Sequence, residues 1–254
     1  MTLYETMGWA STIAVLLPIS LLLYFKLALY RSFPALLFFF GILFICNLLL
    51  LDIVGNYNRL RAVQDVLHNT LVAPLTIVFL SYFARCLANR RKMVLIAMAV
   101  LVYEVVVVSF NGFTDQAIRL STAPGLLIAL VFGLYFFAQQ VKLTIMFQKA
   151  LGKALLASLM LFATIGFSYI YVVRYFISPE YRSDADFFHF IVSLVVAVGV
   201  AVGLIFERKR VQQLEELRIA REELKEIYAD EKDKEKATGP FGAVAFNFDN
   251  DSWN

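Results

Sequence analysis

Glu104 stands in VLVYEVVVVSF, a stretch with no other charged residue. A carboxylate at that depth in a bilayer costs about 2.5–3.5 kcal/mol on insertion scales, so an ionisable side chain there is a functional candidate by default. Asn47, His68, Asn69, Arg174 and His189 are further polar groups embedded in long apolar runs. Counted from Lys92 at ~1.5 Å per residue, Glu104 falls just past the midplane of its run. Asn47 reaches a similar depth counted from Pro34, and His68 and Asn69 lie nearer one face. Arg174 and His189 fall at the ends of their runs. If the helices turn these groups to one interior, they outline a polar vestibule that binds a ligand.

The chemistry open to such a set is restricted. The sequence has no P-loop, no G-x-S-x-G and no H-E-x-x-H. A zinc hydrolase needs several histidines or carboxylates on one metal, and only His68 and His189 exist, with Asp52 and Asp65 nearby. Asp65 and His68, three residues apart, do share one helix face. Retinal chemistry needs a Schiff-base lysine in the last span, and residues 187–206 hold none. Catalytic residues, a bound metal and a cofactor are therefore not expected, and an enzyme is the less favoured reading. Cys46 and Cys86 read as small apolar residues rather than ligands or disulfide partners.

The elements that must position these side chains are transmembrane helices. Hydrophobic residues make up 60% of the chain, aromatic residues 15%, and the mean hydropathy is +0.72. These values belong to a polytopic membrane protein. Seven apolar runs are predicted, at roughly 8–30, 34–54, 66–87, 92–111, 121–141, 153–177 and 187–206. The first has no basic segment before it and no small-residue cleavage site after it, so it reads as a retained span. The expected fold is an all-α seven-transmembrane bundle over 1–206, followed by a charged helix over 207–236 and an aromatic, acidic tail over 237–254.

Lys26, Arg31, Arg85, Arg90, Arg91, Lys92, Lys142, Lys149, Lys153 and Arg208–Arg210 all fall in alternate connections. The positive-inside rule then predicts the N-terminus outside and the C-terminus in the cytoplasm, in a bacterial inner membrane. The outer connections are short and mix both signs of charge.

Residues 187–228 carry no proline, and the span passes into ERKRVQQLEELRIAREELKEIY without a breaker. One continuous helix is expected there, since Leu, Glu, Arg, Ala and Lys all favour it. Leu214, Leu217 and Leu224 repeat at roughly helical spacing, too few for an established coiled coil. Beyond Gly239-Pro240 the tail presents Phe246, Phe248 and Trp253 without a basic residue, the composition of a docking peptide. Gly199 and Gly203 form a G-x-x-x-G face suited either to packing within the bundle or to a homodimer contact.

In layout the chain resembles the membrane input modules of bacterial sensor kinases, whose last span runs into a signalling helix. No histidine follows His189, so a phosphoacceptor helix is not expected, and output would go by contact. The sequence thus predicts a sensory or signalling membrane protein with lipid and a cytoplasmic effector protein as partners and no nucleic acid. A transporter or channel component and a membrane scaffold are the alternatives.

Overall fold

In a computed structural model of the chain, residues 2–51, 58–84, 86–147, 151–177 and 179–235 are described. They are almost entirely helical, with no strand among them. The helices are α1 (Leu3–Tyr24), α2 (Phe33–Leu50), α3 (Asn58–Leu80), α4 (Leu87–Asn111), α5 (Asp115–Phe147), α6 (Leu151–Phe176) and α7 (Arg182–Glu235). Each contains a segment long and apolar enough to cross a membrane, the mark of an integral membrane protein. Contacts divide the chain into two units, Met1–Phe206 and Glu207–Asn254.

Local chemistry sets the helix ends. Thr2 caps α1 in a capping box, its hydroxyl accepting from the Glu5 amide while the Glu5 carboxylate accepts from the Thr2 amide. The helix therefore starts at Leu3, five residues before the run of residues predicted from hydropathy. It stops at Tyr24, six residues early, where Lys26 takes a left-handed conformation (φ 56°) before a short 3-10 turn. Cys86 caps α4 through its sulfur, which accepts from the Asn89 amide at 3.4 Å, and it is exposed. That corrects the reading of Cys86 as a buried apolar residue. Gly112 (φ 66°) closes α4 in a conformation that L-residues rarely adopt.

Three prolines lie inside helices, Pro18, Pro74 and Pro124. Pro124 removes the amide that would have bonded to the Leu120 carbonyl, four residues back. The Tyr103 hydroxyl of α4 donates to that carbonyl at 3.1 Å instead. A polar cross-link between α4 and α5 thus follows from a helix-breaking residue.

The contacts show how the helices alternate in direction. Tyr4, at the start of α1, donates to the Leu50 carbonyl at the end of α2, and its ring meets Phe190 near the start of α7. Arg182 and Asp115 pair the starts of α7 and α5 at 3.1 Å. At the opposite end, Ser32 at the start of α2 bonds Ser81 just after α3. There Phe33, Phe79, Tyr82 and Phe83 form an aromatic cluster, and Lys153 lies 5.1 Å above the Tyr82 ring.

α3 is the central helix, packed against α2, α4 and α5 and touching α6. Two-thirds of its spanning window is buried, against 22% for α4 at the periphery. Between α6 and α7, small residues bring the backbones close. A β-carbon at Gly199 would lie 2.5 Å from Leu159 Cδ2, and one at Gly203 would lie 2.8 Å from Leu156 Cδ2. A β-carbon at Gly166 would meet Val192 at 2.8 Å. The G-x-x-x-G face of the seventh span is therefore occupied by α6, which takes up the first of its two predicted uses.

In the second unit, Arg210 pairs with Glu207 at 2.9 Å, and Arg218 approaches Glu222 at 3.8 Å. Leu214, Leu217 and Leu224 are exposed. Phe246, Phe248 and Trp253 lie outside the described residues.

Candidate functional site

Five helices line a single cleft, four of them with residues at one-turn intervals. From α3 come Asp65, His68, Asn69 and Val72; from α6, Phe167, Ile170, Tyr171 and Arg174. Both sets follow the i, i+3, i+4, i+7 spacing that places side chains on one helix face. α2 adds Cys46 and Leu50, α5 adds Thr122 and Leu126, and α7 adds His189. The cavity is about 30 Å³, which is room for roughly two water molecules.

An ion triad closes one side. Arg174 Nη2 donates to Asp65 Oδ2 at 3.3 Å, and Nη1 lies 3.7 Å from Asp186 Oδ1. The three side chains are 16%, 19% and 9% exposed, so the pairs are largely withdrawn from solvent. This geometry joins α3, α6 and α7. Arg174 is thus no interfacial side chain reaching for water, despite its place near the end of its run.

The rest of the cleft is built on ring and amide contacts. His68 and His189 meet edge to face with centroids 5.6 Å apart, and Phe167 packs against both rings. His68 Nδ1 is 3.3 Å from Cys46 Sγ. The Asn69 amide donates to the Asp65 carbonyl at 2.7 Å and reaches the Tyr175 hydroxyl at 3.4 Å. Tyr171 donates to the Arg119 carbonyl at 2.7 Å. His189 Nε2 and Thr122 Oγ1 are buried with no hydrogen-bond partner among the described residues. Such groups are costly unless something supplies the missing bond.

Four of the six residues singled out from sequence meet here: His68, Asn69, Arg174 and His189. Asn47 and Glu104 do not line the cleft. Asn47 donates to Ser11 Oγ at 2.9 Å and ties α2 to α1. Glu104 faces the bundle interior between α3 and α5, fully buried. Asp65, Asp186, Cys46, Tyr175 and Thr122 were not among the predicted site residues. The signal for two of them was present, since Asp65 precedes His68, and Asp186 precedes His189, by three residues.

This arrangement can orient a small polar molecule through charge and hydrogen bonds. Among the described residues, no group of three or more His, Cys, Asp or Glu side chains is placed to hold a metal ion. Comparison with protein-family models, curated proteins and solved structures finds no match to this chain.

Proposed function

We propose that the chain is a seven-span sensory membrane protein. Its cleft takes a small polar ligand, and α7 carries the state of the cleft to an effector protein. The observation that supports this most directly is the composition of α7. Asp186 and His189 of the cleft stand in its first turns, and the same helix runs to Glu235. A ligand that bonds to His189 or competes for the Asp186 carboxylate acts on this helix at once, and differential contact is what moves an equilibrium. Exposed Leu214, Leu217 and Leu224 offer the effector an apolar contact.

Orientation belongs to the same reading. The basic connections put the C-terminus in the cytoplasm and the cleft toward the outside of a bacterial inner membrane. A reporter fused after Arg210 should be active only in a form that works in the cytoplasm. Activity from a periplasmic reporter at that position contradicts the orientation.

The binding claim is tested on protein purified in detergent, screened by thermal shift against polar compounds of a few heavy atoms, such as ammonium, methylamine and formate. A compound that raises the midpoint for the wild type, and not for His189→Ala, supports the reading. Hits that persist in His189→Ala and Asp186→Asn place binding elsewhere. A transporter or channel component is the second reading, favoured by the buried Glu104 carboxyl. Flux of a hit compound into vesicles reconstituted with the protein distinguishes it from a sensor.

A further inference from the structure

Glu104 sits on the most peripheral helix yet is fully buried. The lipid-side face of α4 carries Leu95, Met98, Val102, Val105, Val106 and Phe110, all exposed. The carboxyl turns the other way, into the seam between α3 and α5. A β-carbon built at Gly125 would lie 2.6 Å from Glu104 Oε1, 2.9 Å from Ala73 Cβ and 3.1 Å from Val100 Cγ1. Only a residue without a side chain leaves room for the carboxyl there. Neither carboxyl oxygen has a hydrogen-bond partner among the described residues.

The charged neighbours are distant along the helices. On α3 the titratable groups toward the cleft are His68 and Asp65, five and eight residues before Ala73, or ~8 and ~12 Å along the axis. On α5 they are Arg119 and Asp115, six and ten residues before Gly125, or ~9 and ~15 Å. On α4 itself, Tyr103 is committed to the Leu120 carbonyl. A bare carboxylate with no counter-charge in an apolar seam is strongly disfavoured, whereas the neutral acid is not.

The cleft comes close to this seam. Thr122 lines the cleft, its hydroxyl buried without a hydrogen-bond partner among the described residues, one helical turn before Gly125. Asn69 lines it one turn before Ala73. We infer that Glu104 is a proton-binding site that exchanges its proton with water in the cleft past Thr122. The step is a simple transfer. A hydronium ion in the cleft water gives up one proton, its O–H bond breaking to leave water as an O–H bond forms on a carboxyl oxygen, and the reverse returns the proton to water by the same route. The site stands on the α3–α4–α5 seam alone and holds whether the bundle signals or transports.

Infrared spectroscopy of the protein in lipid nanodiscs at neutral pH tests it. The wild type should show the carbonyl stretch of a protonated carboxylic acid, displaced by ¹³C-labelling of glutamate and lost in Glu104→Gln. If Glu104→Gln does not fold, Glu104→Asp serves, since its band should then be unaffected by labelled glutamate. Transfer to D₂O should shift the wild-type band, and the shift should be several-fold slower in Thr122→Val. Absence of a Glu104-dependent acid band at neutral pH overturns the proton site, as does a carboxylate band there that answers to sodium. An exchange rate unchanged in Thr122→Val overturns the route.

Discussion

The bundle buries charge in two places and treats it in opposite ways. In the cleft, Arg174 stands between Asp65 and Asp186, and three helices are joined by the pairing. In the α3–α4–α5 seam, Glu104 has no hydrogen-bond partner among the described residues and sits against Gly125, Ala73 and Val100. Buried ions are kept either by pairing or by becoming neutral, and each choice has a different consequence. The paired set is a structural joint that loses much when one member goes. The lone carboxyl is a site that can change its charge without unmaking any contact. On the reading proposed above, the first would serve to transmit motion and the second to hold a proton.

Breaking the joint should have the largest effect. Arg174→Gln removes the cation that Asp65 and Asp186 share, and removal of one partner from a buried pair typically costs about 3–5 kcal/mol. Denaturation in mixed micelles should show a loss of that order; a loss below about 1 kcal/mol would make the triad a surface-like pair. Next in size is Gly125→Ala, because its β-carbon meets Glu104 Oε1 at 2.6 Å and Ala73 Cβ at 2.9 Å. Overpacking of this kind costs about 1–3 kcal/mol, and pairing it with Glu104→Ala should recover part of the loss. A stability unchanged by Gly125→Ala would mean the seam is looser than the geometry requires.

Asp115→Asn should do less. Its pair with Arg182 is about half exposed on both sides, and such pairs are worth roughly 0–1 kcal/mol. Glu104→Gln should also be small, about 1 kcal/mol, since an amide of nearly the same shape replaces a neutral acid and adds one buried N–H donor. A loss of about 3–5 kcal/mol in Glu104→Gln, together with no protonated-acid band from Glu104 at neutral pH, would show that the carboxyl is ionised and paired, and the contrast between the two regions would collapse.

Why half of this was readable from sequence follows from geometry. Depth along a helix is a count of residues, so hydropathy placed the seven spans and put Glu104 and Asn47 at similar depths. Rotation about the axis and the identity of the neighbouring helix are set by packing. That is why Asn47 faces Ser11 of α1 while Glu104 faces Gly125 of α5, and why neither joins the cleft. Span ends were less legible, because capping and turn chemistry override hydropathy. α5 begins at Asp115 rather than near 121 and extends to Phe147, its polar first turns being helical though not apolar. Asp65 and Asp186 looked like charges of the connections, and only the fold shows that Arg174 reaches both. Cys46 looked like a small apolar filler, and its contact with His68 depends on α2 and α3 packing side by side.

The claim at the centre is that the cleft acts through α7. Hydrogen exchange of residues 211–225, followed by mass spectrometry on the protein in nanodiscs, tests it most directly. Asp186→Asn removes the charge that holds α7 to Arg174 while leaving the exposed stretch itself unaltered. Exchange in 211–225 that changes in Asp186→Asn, and reverts toward wild type when two glycines inserted after Arg210 uncouple the stretch, is the predicted result. Exchange there identical in wild type and Asp186→Asn, with the cleft peptides alone affected, would contradict the account.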